Sequence, residues 1–497
     1  MVERAQITVQ GVVQGVGFRP YVYTLADSLH LKGYVSNTPD GVIMEVEGEN
    51  LREFIERLPR ESPPLSRIID INVSLLPAYG YTDFRILESN DRDSQALFTL
   101  ISYDVSICDD CLKELLDPLN RRYLYPFINC TNCGPRYSIT RSVPYDRPNT
   151  TMAVFAMCTK CAEEYHNPGN RRFHAQPNAC PQCGPQVTLV DSRQVPFVCR
   201  DPLLKTIELL KEGKIIAIKG LGGFHIACDA QHEGAVRRLR ELKRRSNKPF
   251  GLMAPDIESI EKFCEVSEKE RWLLSSNRRP IALLRKRGGP LLPLPDAVSP
   301  HNRYFGFMLP YTPLHYLLFA YPENADSGSN SFHFDALVMT SGNMSEEPIV
   351  RDNDEALERL SDIADAFLLH NRDIYMRVDD SVVRAGEGSS TFFIRRSRGY
   401  TPEPVILSSE GPEVMGCGAD IKNTFTITKG RFAIPSQHIG DMENYETLKF
   451  FEECLENIKR IYRSRPVSIG HDLHPGYLST QWALRQGLPT VPFQHHY

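Results

Sequence analysis

Between Ile7 and Val13 apolar and polar residues alternate with period two, the pattern of a half-buried strand. Residues 20–29 then switch to helical spacing behind Pro20, a residue suited to the first turn of a helix. Strand patterns return at 32–37 and 42–48, a helix pattern at 49–58 and a final strand at 68–76. The order strand, helix, strand, strand, helix, strand predicts a ferredoxin-like α+β sandwich over residues 1–90, with a short tail strand near 84–88. From about 200 to 400 the pattern becomes α/β. A helix at 202–213 leads into a buried strand at 214–220, and a second helix spans about Glu233 to Arg245. The tract 321–335 reads as a surface loop, and the basic, proline-ended stretch 395–404 as a domain boundary. Residues 411–497 predict two hairpin strands followed by an amphipathic helix.

Between the first and third regions, residues 104–190 carry little apolar periodicity and much Pro, Gly, Asn and Arg. Turns held by metal in place of a large core have this composition. Four Cys-x-x-Cys pairs punctuate it: Cys108/Cys111, Cys130/Cys133, Cys158/Cys161 and Cys180/Cys183. In each half 18 residues separate one pair from the next, and the second half repeats the first with a period of 50. Two thiolates three residues apart grip one ion, and two such pairs close a tetrahedral zinc site with no open position. Disulfides or a redox dithiol are the rival readings, and a matched fourfold repeat speaks against both. Two structural zinc ions are therefore expected. The spacing favours one ion per half and leaves an interleaved pairing open. Arg121, Arg122, Arg171 and Arg172 could touch nucleic-acid phosphate, but solvated arginines, or arginines held by neighbouring domains, are favoured. His174 reads as a packed or domain-facing histidine.

Bulk composition narrows the function. The 497 residues carry a net charge of −5, with 41% hydrophobic and 24% charged residues, which gives no global drive toward nucleic acid or an anionic membrane. No apolar run approaches the ~20 residues of a membrane span, and the first residues do not read as a signal peptide. Cys199, Cys228, Cys264, Cys417 and Cys454 lack pair spacing and read as small buried hydrophobes. A reducing cytoplasm fits this cysteine usage.

Two stretches carry candidate chemistry. Gln14-Gly15-Val16-Gly17-Phe18-Arg19 lies between the first strand and helix. Two glycines let backbone N–H groups converge on an anion at a helix N-terminus, and Arg19 adds a guanidinium fork. The loop and the later Gly-Tyr-Val-Ser-Asn closely resemble the acylphosphatase signature. That resemblance implies that Arg19 and the loop amides hold phosphate while Asn37 orients the attacking water on an acyl phosphate. Further on, Arg237, Arg238, Arg240, Lys243, Arg244, Arg245 and Lys248 crowd one helix and its exit against the single acid Glu241. Much of such a run is ordinarily a solvated face, yet its density calls for something anionic nearby.

Lys243 to Pro249 resembles the Lys-x-Arg…Lys-Pro element of the YrdC family, and Ser341 and Asn343 match that family's Ser-x-Asn. The resemblance implies an adenylate-forming site in which Lys243, Arg245 and Lys248 hold ATP with its Mg²⁺, while Ser341 and Asn343 contact phosphates or the acyl group. Residues 411–497 resemble the opening of the TsaD-like, actin-type ATPase domain, with His495 matching the first ligand of that family's metal motif. The resemblance implies that this module is incomplete and continues past Tyr497 to a second ligand, and that the intact domain holds a further metal. His301, His315 and the Arg377, Asp379, Asp380, Arg384 cluster stay unassigned; the cluster reads equally as pocket lining or as an ion-pair network.

Together the four modules resemble the HypF family of hydrogenase-maturation carbamoyltransferases, in four motif sets over the whole chain. The resemblance implies hydrolysis of carbamoyl phosphate, adenylation of the carbamate with ATP and release of pyrophosphate. It further implies transfer of the carbamoyl group to the C-terminal cysteine of the protein partner HypE, as precursor of a cyanide ligand in nickel–iron hydrogenase. The rivals are a threonylcarbamoyl-adenylate enzyme of tRNA modification and a zinc-ribbon nucleic-acid binder. The acylphosphatase front end speaks against the first and the acidic balance against the second.

Overall fold

The structure is a computed structural model and describes residues 2–38, 41–87, 100–289, 293–322, 332–344, 347–388 and 390–496. The first module contains β1 (Glu3–Val12), β2 (Lys32–Thr38), β3 (Gly41–Gly48), β4 (Arg67–Leu76) and β5 (Phe84–Ile86), in the sheet order β4-β1-β3-β2-β5. Only β2 and β5 pair in parallel; the other neighbours are antiparallel. Alternation in β1 buries Ala5, Ile7 and Val9. Helix Phe18–Ser28 lays Phe18, Val22, Leu25 and Ala26 on the sheet, and helix Leu51–Arg60 adds Leu51, Phe54 and Leu58. This is the expected sandwich with its tail strand.

The middle module is one ten-stranded mixed sheet. Its strands are β6 (Val187–Asp191), β7 (Ile216–Lys219), β8 (Phe224–Asp229), β9 (Gly251–Met253), β10 (Ile281–Arg285), β11 (Tyr304–Met308), β12 (Leu337–Ser341), β13 (Ala366–His370), β14 (Val382–Ala385) and β15 (Thr391–Arg395). Their order is β15-β14-β10-β11-β9-β12-β8-β7-β13-β6. The expected basic helix runs only over Glu233–Leu242, so Lys243 stands at its C-terminal cap. Of the expected loop at 321–335, residues 323–331 lie outside the described residues.

The last module contains β16 (Val405–Gly411), β17 (Val414–Gly416), β18 (Thr426–Pro435), β19 (Ser468–Asp472) and β20 (Thr490–Phe493), ordered β16-β18-β17-β19-β20. Helix Tyr445–Ile461 starts where the Asn444 side chain accepts from the Thr447 N–H. It buries Phe450, Phe451, Cys454, Leu455 and Ile458 along one face.

Two strands pair across the expected module boundaries, because strand pairing is not local. Val187–Asp191 continues from the cysteine block but pairs antiparallel with β13, extending the middle sheet at its edge. Val405–Gly411 precedes the expected start of the last module yet pairs with β18 inside it. The first and last modules share one continuous apolar core, bridged by Tyr137 of the cysteine block and by Met376 and Val378. No helix among the described residues is long and apolar enough to cross a membrane.

Candidate active sites and metal centres

The eight cysteines gather into two quartets, Cys108/Cys111/Cys130/Cys133 and Cys158/Cys161/Cys180/Cys183, one per half of the repeat. In the first quartet Sγ–Sγ separations are 3.7 Å for Cys108–Cys130, 3.8 Å for Cys130–Cys133 and 3.5 Å for Cys111–Cys133. In the second, Cys158–Cys180, Cys180–Cys183 and Cys161–Cys183 each lie at 3.7 Å. A tetrahedron with Zn–S bonds of about 2.3 Å has edges of about 3.8 Å, so both quartets fit zinc. The geometry selects one ion per half over the interleaved pairing.

All four arginines are engaged across the repeat, each half clamping the other; Arg122 and Arg172 are buried, Arg171 is half-buried and Arg121 stays exposed. Arg171 donates to Cys111 Sγ at 2.8 Å and to Cys108 Sγ at 3.8 Å. Glu114 binds Arg171 at 2.8 Å and also accepts from Arg172. In mirror fashion Arg121 and Arg122 donate to Cys161 Sγ at 3.3 and 3.5 Å and pair with Glu164. Four thiolates around a dication carry excess negative charge, and the crossed guanidiniums offset it.

The phosphate-type loop turns between β1 and helix Phe18–Ser28. Gly15 and Gly17 adopt φ of 72° and 78°, a left-handed conformation that glycine reaches without strain. Gln14 is buried and donates to the Thr38 and Gly41 carbonyls at 2.7 and 2.8 Å, tying the loop to the end of β2. Gln14, Gly15, Gly17, Phe18, Arg19 and Asn37 line one small hollow of about 20 Å³. The Val16 side chain turns into the core. Asn37 is only 1% exposed, and neither atom of its amide has a hydrogen-bond partner. A buried amide left unpaired is costly, and here it faces the space where a ligand would sit.

The cysteine block forms the other wall. Thr131, Arg136, Tyr145, His174 and Gln176 complete the hollow. Burial, and then the charge of Arg19, pushes His174 down to about 3, so it faces the hollow as a neutral ring. Arg136 donates to the Gly15 carbonyl and also to the carbonyls of Cys133, Pro135 and Thr131. Residues 136–138 touch all three other modules. After Arg136, the Tyr137 hydroxyl donates to Gln437 Oε1 at 3.0 Å, and the Ser138 carbonyl accepts from the Tyr375 and Met376 N–H groups at 2.8 and 3.1 Å.

The basic run divides. Arg237 pairs with Glu233, Arg238 with Asp365, and Arg240 donates to backbone carbonyls, so these three are structural. Lys243, Arg245 and Lys248 line a second hollow of about 440 Å³ together with Ser341 and Asn343. Lys243 is 3% exposed and donates to the Ser341 and Asn343 carbonyls at 3.0 and 2.6 Å. Burial, then the charge of Arg245, pushes its ammonium down to about 7. Ser341 Oγ donates to Asn343 Oδ1 at 3.1 Å, and Arg245 donates to Thr340 Oγ1 at 3.2 Å and to the Lys248 carbonyl at 2.9 Å.

Sequence reasoning did not anticipate the opposite wall, which comes from the last module through Lys422, His438, Ile439, Gly440, Asp441 and Phe450. Asp379 and Asp380 line the floor and each also carries an ion pair, Asp379 with Arg395 and Asp380 with Arg398, at 2.5 and 2.7 Å. The two aspartates thus both line the hollow and carry ion pairs, but not with the arginines of the expected cluster: Arg377 pairs with Glu355 and Glu453, and Arg384 lies over Tyr304. Asp380 also accepts from His225 at 2.9 Å, and His315 packs fully buried against His225 and Tyr311. His301 is exposed, away from either hollow. His495 meets Asp472 at 2.8 Å, and among the described residues only the two cysteine quartets form groups that could hold an ion.

Comparison with known proteins covers all four modules. The acylphosphatase family matches residues 5–86, the HypF finger 107–140 and 157–190, the telomere recombination (Sua5, YciO, YrdC) family 208–397 and the HypF Kae1-like domain 409–497. Carbamoyltransferase HypF2 of Cupriavidus necator is 48% identical over 99% of this chain and 62% of its own length. Carbamoyltransferase HypF of Rhizobium leguminosarum bv. viciae is 46% identical over 100% of this chain and 62% of its own. The crystal structure of full-length HypF in its phosphate- and nucleotide-bound form superposes with a TM-score of 0.93 and 46% identity, covering 100% of this chain and 63% of that one. The chain thus spans less than two thirds of the length of these relatives. On the order of its four modules and on identity sustained along its full length, the chain belongs to the HypF family.

Proposed function

We propose that this chain performs the first two steps of a carbamoyl transfer, with its two hollows acting in sequence. In the first, the loop amides and Arg19 hold the phosphate of carbamoyl phosphate, and Asn37 orients a water. Attack gives inorganic phosphate and carbamate, helped by charge stabilisation and positioning, without a covalent nucleophile. In the second, Lys243, Arg245 and Lys248 take the phosphates of ATP with its Mg²⁺, and Ser341 and Asn343 contact the phosphates or the acyl group. A carbamate oxygen attacks the α-phosphorus and pyrophosphate leaves, giving carbamoyl-adenylate. In the whole protein the last module passes the carbamoyl group to the C-terminal cysteine thiolate of HypE, for a cyanide ligand of nickel–iron hydrogenase. The zinc quartets, closed by four cysteines each, hold structure and supply no step.

The observation that carries this reading is the two-walled second hollow. Its cationic wall belongs to the adenylating module and its other wall to the transfer module. An adenylate that water destroys would form already facing its acceptor site, which favours enclosure over release. The relative crystallised with phosphate and nucleotide supports the same pair of ligands. A threonylcarbamoyl-adenylate enzyme would share the second hollow but has no use for an acyl-phosphate site. The test is carbamoyl-phosphate-dependent release of AMP and pyrophosphate from ATP. We expect it in the parent chain and not in Arg19→Ala or Lys243→Ala, and activity indifferent to both substitutions would reject the assignment.

A further inference from the structure

Among the described residues, the ion-pair partner of Arg19 comes from outside its own module. Arg19 Nη2 donates to Asp146 Oδ1 at 2.7 Å, across the junction with the cysteine block, and the two side chains are 9% and 20% exposed. Water therefore screens the pair little. The neighbours of Asp146 fix where its carboxylate stands. The Tyr145 N–H donates to Gln14 Oε1 at 2.9 Å, docking this segment on the start of the phosphate loop. The Arg147 N–H donates to Gln176 Oε1 at 2.8 Å, and its guanidinium donates to the carbonyls of Gln176 and Asn178 at 2.6 and 2.9 Å. The Asn178 side chain in turn donates to the Cys161 carbonyl at 3.0 Å. Hydrogen bonds from the second cysteine quartet to Arg147, and the peptide bond from Arg147 to Asp146, thus connect that quartet to the guanidinium.

We infer that Asp146 is a positioning residue for Arg19, so that the cysteine block sets the geometry of the acyl-phosphate site; this rests on the reading of that hollow given above. A guanidinium has five N–H donors in a rigid fork. Held by Asp146 through one nitrogen, it keeps the rest of the fork presented to phosphate without having to be ordered on binding. The carboxylate also opposes the incoming anion by its charge, and the two effects have opposite signs. Two features decide for positioning. Asp146 does not line the hollow itself, whereas Arg19 does, and the Arg19 charge partly neutralises the carboxylate where it stands.

The experiment uses the full zinc-loaded chain and measures phosphate release from carbamoyl phosphate, with inorganic phosphate as competing inhibitor. Misplacing the fork in Asp146→Ala should raise KM about tenfold and weaken phosphate inhibition in parallel. Asp146→Asn keeps an acceptor oxygen without the charge and should recover part of that loss. Zinc content, measured on each variant, should stay at the parent value. Unchanged or tighter phosphate inhibition in Asp146→Ala would overturn the inference, since electrostatic opposition would then dominate. If Asp146→Ala loses its zinc, the decision falls to Asp146→Asn, where KM equal to the parent's overturns it. A parent chain that releases no phosphate, or an active Arg19→Ala, would instead reject the functional reading.

Discussion

The two hollows meet the same demand, holding anionic phosphate, by different means. The first is small and built around a glycine turn. Two left-handed glycines curl the chain at the start of a helix, one guanidinium adds charge, and a buried amide waits without a partner. The second is some twenty times larger and built from side chains that start nearly a hundred residues apart, on two modules. A tight turn of this kind suits one small group. A wall of lysine and arginine suits a longer, more highly charged ligand, but each cation must be kept poised by its surroundings. Lys243 shows what that costs, since burial pushes its ammonium down toward neutrality until a ligand arrives.

The comparison can be broken most directly by separating the two chemistries. Arg19→Ala should lower phosphate release from carbamoyl phosphate about 100- to 1,000-fold, the scale for removing one charge-stabilising donor. Nucleotide binding should be left intact. Lys243→Ala should do the reverse, keeping phosphate release while losing AMP formation. Loss of phosphate release in Lys243→Ala, or of nucleotide binding in Arg19→Ala, would mean that the hollows are not separate sites. A smaller but sharper effect is expected at Asn37. Its amide is buried and unpaired, so Asn37→Ala should slow hydrolysis while costing no stability, with a gain of up to about 1 kcal/mol in thermal or denaturant unfolding. A marked loss of stability would instead make Asn37 a structural residue.

The second hollow should also respond to pH where the first does not. As pH rises through about 7, the buried Lys243 loses its proton and with it its attraction for phosphate. ATP affinity should fall with rising pH over that range. Lys243→Arg stays charged and should flatten the profile. The smallest expected effect concerns the zinc quartets. Arg171→Leu should speed zinc release to a chelator, by a few-fold, from the quartet of Cys108 in preference to that of Cys158, because Arg171 belongs to one half and donates to the other. Release of both ions at the parent rate would remove the crossed clamp from the account.

How much of this was legible in the sequence follows the same division. The quartets and the phosphate loop were readable because their residues are neighbours, with ligand spacing or turn chemistry written into short stretches. Lys243, Ser341 and Asn343 could be joined only through resemblance, since nothing local links them. Asp146, Arg136, Lys422, His438 and Asp441 left no signal, because each acts across a junction between modules and no periodicity records such a contact. The pairing of Val187–Asp191 into the middle sheet and of Val405–Gly411 into the last one left no local signal for the same reason. The crossed arginines do have a local signal, an Asn-Arg-Arg repeated at 120–122 and 170–172, but the repeat alone does not record that each donates to the other half's quartet.

The central claim is that one labile carbamate made in the first hollow is consumed in the second. It is tested by supplying carbamoyl phosphate labelled at carbon together with ATP and a large excess of unlabelled bicarbonate and ammonia, then quenching and measuring the label in carbamoyl-adenylate. Hand-over within the protein predicts adenylate carrying the full label of the carbamoyl phosphate. Adenylate diluted to the label of the surrounding pool would contradict it.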